Sequence, residues 1–391
     1  MHKLIAVIGN TGVGKSKLAV ELAKRFQGEV INADSLQVYT GAPIVTNKHP
    51  EEEMYGVPHH LLGHVDWDQQ YTVKDFQAEA IPLIESLNNE MKMPVLVGGT
   101  HYYIQSLISE QLIGKIHDIN ELSTEQREIL DNPAQVEKQL QQIDPVICAK
   151  FHPNDTRRLR RALEVYYTTG ELASKIYASQ ESTLKYDVLI FWIYCEKNNL
   201  ADRLDTRVDS MVEQGLLDEL KQLYDYHKLH STNVNSSVWQ AIGFRQFLPY
   251  FETGQHYEEC LHTMKLNTSQ YARKQSKWIV NKFLPYLNDI GARYAILDST
   301  NLPNWEQDCL ERAVGITSEW LRGDLDTSQT LAYIDSSRNA QAFNSEQWIR
   351  HKCETCSRAK GSDIIVIGNE AWDIHLKSKN HRYLANNYHN S

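Results

Sequence analysis

The 391-residue sequence has few of the features that mark secreted, membrane or highly basic proteins. Its six cysteines are too few for a disulfide framework in so long a chain, so we expect reduced thiols and a cytoplasmic protein. No run approaches the roughly 18 apolar residues of a membrane span, and we expect no membrane association. The apolar run at 4–8 leaves no room before it for a signal or transit peptide.

The sequence also has fewer basic than acidic residues, with 40 Lys and Arg and 50 Asp and Glu. The net charge of −10 argues against indiscriminate nucleic-acid binding by the whole surface, although a local basic groove stays compatible with it. What is present, 41% hydrophobic and 23% charged residues, is ordinary for a globular protein with a sizeable core. The length predicts two or three domains.

A phosphate-binding loop is the most specific motif in the chain. The apolar run 4–8 predicts a buried strand, and residues 17–23 carry apolar side chains at helical spacing. An octet with the pattern GxxxxGKS lies between them, which is the context that this motif requires. Its backbone amides, a lysine and a hydroxyl suited to magnesium would bind a phosphorylated ligand. The octet consists of Gly9, Asn10, Thr11, Gly12, Val13, Gly14, Lys15 and Ser16.

Two later strand ends carry polar residues. The strand predicted at 29–33 leads to Asp34 and Ser35, and the one at 94–97 leads to Gly98, Gly99 and Thr100. Ligands bind at the carboxyl ends of parallel strands, so both ends are candidates for the site. Asp34 can take a proton, hold a magnesium-bound water or cap the next turn, and the sequence leaves these roles open.

Clusters of arginine suggest polyanion binding. Four lie within five residues of a predicted helix, at Arg157, Arg158, Arg160 and Arg161, more than local ion pairing needs, with a solvated helix face as the alternative. Arg203 and Arg207 follow the predicted strand 188–194 at a spacing that suits a diphosphate clamp, with a surface salt-bridge role as the alternative.

Further along, residues 270–278 mix cations with aromatics, which suits stacked bases and phosphates. Histidines 49, 59, 60 and 64 lack partner thiols or carboxylates at metal-binding spacing, so we expect ordinary hydrogen-bonded side chains.

The C-terminal tail predicts a structural zinc site. Cys353 and Cys356 form a CxxC pair, and His375 and His381 follow at a spacing that suits a long finger with two thiolates and two imidazoles. Residues 350–382 carry seven Lys or Arg against four Asp or Glu, an excess that favours nucleic acid as the finger's partner. The polar stretch 322–345 before it reads as a linker.

Together these motifs resemble the tRNA dimethylallyltransferases over residues 1–320, and the tail resembles the matrin-type C2H2 finger of their eukaryotic, yeast-like members. The resemblance rests on several segments. They are the octet, Asp34 to Tyr39, Pro58 to His60, Gly98 to Thr100, His152 to Asp155 with its arginine helix, Arg203 and Arg207, Ala241 to Phe244, and Tyr271 to Gln275.

The resemblance implies an α/β fold with a P-loop NTPase-like parallel sheet core, helical tRNA-binding insertions and a small zinc finger. We assign 1–112, 184–208 and 266–321 to the core. The helical tRNA-facing segments are then 113–183 and 209–265, with 322–345 as linker and 346–391 as finger.

The implied reaction transfers a dimethylallyl group from dimethylallyl diphosphate to N6 of adenosine 37, beside the tRNA anticodon, and releases diphosphate. Asp34 is the implied base, while Lys15, Arg207 and Thr100 act at the diphosphate, which the octet and Arg207 bind. The implied cofactors are Mg²⁺, held by Ser16, and structural Zn²⁺.

The implied partner is the tRNA anticodon stem-loop, bound by a monomer that is cytoplasmic with nuclear and mitochondrial pools in addition. The implied tRNA-binding residues are Asp34, Ser35, Leu36, Gln37, Thr100, Arg157, Arg158, Arg160, Arg161, Gly243, Phe244, Arg245, Arg273 and Lys274.

Two other functions fit parts of the sequence. A P-loop kinase of a small metabolite would use the same octet and arginine pair, although a zinc finger favours an RNA substrate. A non-catalytic RNA-binding protein would not need an intact Lys15, Ser16 and Asp34.

Overall fold

A parallel six-stranded sheet lies in the larger of two compact units, which comprises Met1–Glu110 and Ser182–Ala340. The structure, a computed structural model, describes residues 1–109, 122–179, 183–325, 349–360 and 363–388. The strand order is β3-β2-β4-β1-β5-β6, and all paired strands of the sheet are parallel. The strands are β1 Lys3–Gly9, β2 Gly28–Asn32, β3 His59–His60, β4 Met93–Val97, β5 Asp187–Tyr194 and β6 Arg293–Asp298.

Helices connect and cover these strands. In this unit they are α1 Lys15–Arg25, α2 Val73–Asn89, α3 His101–Ile108, α9 Lys197–Glu213, α10 Leu216–His230, α11 Phe244–Thr253, α12 Tyr257–Trp278, α13 Leu284–Asp289 and α14 Arg312–Arg322. Among the described residues, none of the helices is both long and apolar enough to cross a lipid bilayer.

Alternation along the central strands places apolar side chains on both faces of the sheet. Ile5 and Val7 pack into one buried cluster with α1 and α14, while Leu4 and Ile8 pack into the other with α2 and α3. A strand buried on both faces reads as a continuous apolar run, which is why these strands were predictable. The predicted α/β class with a parallel sheet is confirmed.

The phosphate loop follows β1, whose neighbours are β4 on one side and β5 on the other. The chain leaves β1 for β2 on the first side and enters β5 on the second, so this edge is a topological switch point where ligands bind. The fold therefore brings the loop, the end of β2 and the end of β4 to one edge.

The helices α9 to α12 form a third cluster with the segment that follows β2. Trp239, Phe244 and Phe247 pack there with Val38 and Val45. Residues 209–265 consequently lie in the same unit as the sheet, whereas the sequence grouped them with 113–183.

The second unit comprises Gln111–Glu181 and Gln341–Ser391. Its elements are α4 Thr124–Asp131, α5 Pro133–Ile143, α6 Pro145–Lys150, α7 Thr156–Thr169, α8 Ala173–Ser179, β7 Arg350–Lys352, α15 Glu354–Lys360, β8 Ile365–Ile367, α16 Asn369–Lys377 and α17 Lys379–Tyr388. The tail thus shares a unit with the first helical segment, and most of the predicted linker 322–345 lies outside the described residues.

Candidate active site

The phosphate loop wraps tightly against its neighbours. A side chain at Gly9 would place its Cβ 2.6 Å from the carbonyl oxygen of Ile193, so only glycine fits at the exit of β1. Lys15 is the first residue of α1, and its ammonium donates to the carbonyl of Asn10 at 2.6 Å. The loop is therefore closed on itself with its lysine facing inward.

Two partly buried cations lie near this loop. Burial lowers the pKa of Lys15 to about 8, opposed by the charge of Asp34 and assisted by that of Arg207. Burial lowers the pKa of Arg207 to about 10, again opposed by Asp34. Two desolvated cations facing a single carboxylate leave an excess of positive charge that an anionic ligand would satisfy.

Asp34 lies at the carboxyl end of β2, held by backbone amides. One carboxylate oxygen accepts from the amide of Leu36 at 3.0 Å, and the other accepts from the amide of Gly99 at 3.3 Å. Gly99 has no room for a side chain, because a Cβ would lie 2.9 Å from that second oxygen. The ends of β2 and β4 thus orient one acid towards the phosphate loop.

Thr100 and Tyr271 lie close to this acid. The Thr100 hydroxyl accepts from the amide of Ser35 at 3.0 Å and donates to its hydroxyl at 3.1 Å. Burial, and then the negative charge of Asp34, raise the pKa of Tyr271, so its phenol stays protonated. The site combines a carboxylate, two cations and two hydroxyls, the groups needed for a displacement that releases an anion.

Arg203, the other half of the predicted diphosphate clamp, is held by backbone carbonyls that follow β6, while its Nη1 has no described hydrogen-bond partner. Its guanidinium donates to the carbonyls of Ser299 and Thr300, both at 2.7 Å. Helical spacing gave the pair Arg203 and Arg207 a common face, but the end of β6 lies against the first of them. Arg207, by contrast, is close enough to Lys15 to lower its pKa, and Asp34 is close enough to raise the pKa of Arg207.

Several side chains that were not predicted as site residues support the loop. Thr11 donates its amide to Gln275 at 2.9 Å, and the side chain of Asn10 donates to the carbonyl of Ala272 at 2.8 Å. His101 lies 3.2 Å from the carbonyl of Gly9, stacked on Trp278. Burial, then the charge of Lys15, lower the pKa of His101 to about 3, so the imidazole is neutral. These contacts join positions up to 264 residues apart, for which the sequence carries no local signal.

Three arginines of the basic helix α7 already have acidic partners. Arg160 pairs with Glu164 and Asp131, both at 2.9 Å, Arg161 pairs with Glu164 at 3.2 Å, and Arg158 pairs with Asp155 at 2.8 Å. Glu164 is almost fully buried, so its contacts with two arginines compensate its charge. Their positive charge is therefore partly neutralised within the unit.

Other candidate RNA contacts differ in exposure. Arg157, Arg273 and Lys274 are exposed, and no ion pair is described for them. Arg245 donates to the carbonyl of Val234 at 3.0 Å, and Gln37 donates to that of Asn47 at 2.8 Å. Arg157, Arg273 and Lys274 are therefore the positions at which an incoming polyanion would meet cations that no described carboxylate neutralises.

Phe244 is a core residue. It is fully buried and packs against Trp239 with ring centroids 5.1 Å apart, because Gly243 turns the chain inward at a φ of 126°. A Cβ at Gly243 would lie 3.1 Å from Val45 and 3.2 Å from Met264. The predicted RNA contact through the Phe244 side chain therefore does not fit this structure.

The four predicted zinc ligands come together in the second unit. The ligand atoms of Cys353, Cys356, His375 and His381 all lie within 4.8 Å of one another. The thiol of Cys356 is 3.6 Å from Nε2 of His375 and 3.5 Å from Nδ1 of His381. Bond lengths of about 2.3 Å to sulfur and 2.0–2.1 Å to nitrogen give about 3.5 Å between such atoms around a tetrahedral zinc ion. The donor set fits a structural zinc site.

One arginine anchors the tail to the helices of its unit. Arg350, on β7, donates to the carbonyls of Cys148 and Phe151 and pairs with Glu137. The guanidinium thereby satisfies carbonyls at the end of α6. The finger is consequently part of this unit and not an isolated appendage.

Comparison with known proteins gives a consistent result. The family model described as IPP transferase matches residues 37–282. The chain is 39% identical to the tRNA dimethylallyltransferase of Saccharomyces cerevisiae over 97% of its own length and 91% of the relative's. It is 37% identical to that of Schizosaccharomyces pombe, over 98% and 94%.

A solved structure of a eukaryotic dimethylallyltransferase acting on tRNA matches with a TM-score of 0.85 and 37% identity. The match covers 100% of this chain and 98% of the other. The match therefore extends over both compact units, including the tail.

Proposed function

The chain belongs to the IPP transferase family, the tRNA dimethylallyltransferases, and we propose that it transfers the dimethylallyl group of dimethylallyl diphosphate to N6 of adenosine 37 in tRNA. The observation that carries this proposal is the meeting of Lys15, Arg207 and Asp34 at one edge of the sheet. The first two suit a diphosphate, and the third suits an amine that must lose a proton.

In the proposed reaction, a bond forms between N6 of the adenine and the terminal allylic carbon, while the bond from that carbon to oxygen breaks. The diphosphate leaves with the electron pair, and the Lys15 and Arg207 side chains stabilise the charge that it gains. Asp34 accepts the proton that the amine loses. Thr100, which is fixed through Ser35, lies beside Asp34 and is proposed to orient the reacting groups.

Magnesium fits one position of the loop. Ser16 lies in the first turn of α1, next to Lys15, and offers a hydroxyl oxygen of the hard type that Mg²⁺ prefers. Because Mg²⁺ retains several waters, this hydroxyl together with diphosphate oxygens would hold the ion, which would neutralise charge on the leaving group.

The lowered pKa of Lys15 gives a testable pH dependence. Below about pH 8 the free enzyme has a charged Lys15, and this charge is lost as the pH rises through that value. We expect kcat/KM for dimethylallyl diphosphate to fall above about pH 8, by about tenfold per unit at the limit. A Lys15→Met variant should lack this alkaline limb, so its persistence in the variant would assign it to another group.

Exposure predicts which cations contact tRNA phosphates. Arg273→Ala and Lys274→Ala should each reduce the slope of log Kd for tRNA against log salt by about 0.7–0.9. Arg160→Ala should reduce it less, because Glu164 and Asp131 already partly neutralise that guanidinium. Affinity for dimethylallyl diphosphate is the control and should not change. Equal slopes in all variants and in the wild type would remove these side chains from the RNA contact.

Separate incubations with two labelled substrates distinguish the proposed activity from that of a P-loop kinase. Purified protein is incubated with tRNA and either radiolabelled dimethylallyl diphosphate or radiolabelled ATP. We expect label in the tRNA from the first and no turnover of the second. Turnover of ATP without prenyl transfer would overturn the proposal.

We further propose that the protein acts as a monomer on the anticodon stem-loop, and that it is cytoplasmic with nuclear and mitochondrial pools. Family membership and the small number of cysteines support this proposal.

A further inference from the structure

Gln275 is a buried amide near the active site that the proposed reaction does not use. It lies near the end of α12 with 5% of its surface exposed. Its oxygen accepts from the amide of Thr11 in the phosphate loop at 2.9 Å. Its nitrogen donates to the carbonyl of Gly99 at 3.1 Å. Both ends of one planar group are therefore bonded to backbone atoms of two different loops.

The connection continues from Gly99 to the proposed base. While the carbonyl of Gly99 accepts from Gln275, its amide donates to the carboxylate of Asp34 at 3.3 Å. A Cβ on Gly99 would lie 2.9 Å from both the Asp34 oxygen and the Gln275 nitrogen, so both side chains pack directly against this glycine. A displacement of Gly99 would consequently move a hydrogen-bond donor of Asp34.

The same turn of α12 also binds a second residue of the phosphate loop, Asn10. The side chain of Asn10 donates to the carbonyl of Ala272 at 2.8 Å and to the hydroxyl of Ser276 at 2.6 Å. The carbonyl of Asn10 in turn accepts from Lys15. The loop therefore has its own attachment to α12, independent of Gln275, whereas the described contacts of the Gly99 carbonyl include only this amide.

An amide side chain suits this bridge, because it carries a donor and an acceptor in one plane. A glutamate would place a carboxylate oxygen against the Gly99 carbonyl, and a methionine would satisfy neither partner. We propose that Gln275 is a positioning residue that holds Gly99, and through it the Asp34 carboxylate, at a fixed place relative to the phosphate loop. This inference rests on the proposed function, since it acts through the proposed base.

A double-mutant cycle tests the proposal. Single-turnover rates are measured at saturating tRNA and dimethylallyl diphosphate for the wild type, Gln275→Met, Asp34→Asn and the double variant. We expect Gln275→Met to lower the rate by about 10- to 100-fold, the cost of misplacing a reacting group. In the Asp34→Asn background we expect less than about a threefold further loss, because residues that act as a unit are not additive. Equal losses in both backgrounds would overturn the proposal.

Binding and folding are measured in parallel. The Kd for dimethylallyl diphosphate should change by less than about threefold in Gln275→Met, since Asn10 still attaches the loop. Gln275→Glu keeps the volume and the bond to Thr11 but loses the donor to Gly99, so it should lose at least about tenfold in rate. If Gln275→Met does not fold, the rate of Gln275→Glu tests the proposal by itself. A wild-type rate in Gln275→Glu would overturn the proposal. Gln222→Met, at an exposed position of α10, is the matched control.

Failure of the proposed function would look different. If wild-type protein transfers no dimethylallyl group to tRNA, the proposed activity is wrong. If the wild type is active and the cycle is additive, only the role of Gln275 is wrong.

Discussion

Replacing Asp34 by asparagine should lower the single-turnover rate of prenyl transfer by about 10²–10⁴, the usual contribution of a general base. The carboxylate lies at the carboxyl end of β2, close enough to Lys15 and Arg207 to affect the pKa of both. An asparagine side chain has similar size but cannot accept the proton of the amine. Dissociation constants for tRNA and dimethylallyl diphosphate should stay within about threefold of the wild type, because the loss is confined to the chemical step.

A structural role for Asp34 makes a different prediction. One oxygen of its carboxylate accepts from the amide of Leu36, as in an Asx turn, and asparagine can do the same. If Asp34→Asn turns over at the wild-type rate, the acid only stabilises this turn. Asp68→Asn, an exposed change of the same chemistry, is the matched control.

Replacing Cys356 by serine should remove the zinc ion and unfold the finger. Structural zinc sites contribute an apparent 10–16 kcal/mol in finger peptides, more than so short a segment gains from burial. Cys356 is nearly fully buried among the other three ligands, so its loss leaves three ligands around the metal. Zinc content should fall from one per chain to none, and hydrogen exchange of residues 349–388 should accelerate.

The kinetic consequence follows from the finger's position. The phosphate loop and Asp34 lie in the other compact unit, so kcat should change little while KM for tRNA rises. Because Arg350 joins the finger to carbonyls at the end of α6, loss of this anchor should also accelerate exchange of the amides of α6. Cys260→Ser, at a buried cysteine outside the cluster, should keep its zinc. A normal KM with a collapsed kcat would contradict this division of roles.

The sequence was informative where structure depends on local pattern. Buried strands such as 4–8 read as continuous apolar runs, and the structure extends this one by a residue at each end. The edge strand β3 was missed because His59 and His60 carry no apolar signal, and only pairing with β2 makes them a strand. The cysteine and histidine spacing was sufficient to predict the metal cluster, because the ligand set itself defines the site.

The sequence was least informative where distant segments decide a side chain's role. Arg203 and Arg207 lie on the same face of a helix, yet the guanidinium of Arg203 donates to the carbonyls of Ser299 and Thr300. The resemblance made Phe244 a tRNA-binding candidate, but the turn at Gly243 places its side chain in the core.

The most direct test of the proposed activity is mass spectrometry of nucleosides from tRNA treated with the purified protein and dimethylallyl diphosphate. We expect an isopentenyl group on N6 of adenosine 37 with the wild type, and an amount reduced by about 10²–10⁴ at early times with Asp34→Asn. An unmodified adenosine 37 with the wild type, or a prenyl group on another nucleoside, would contradict it.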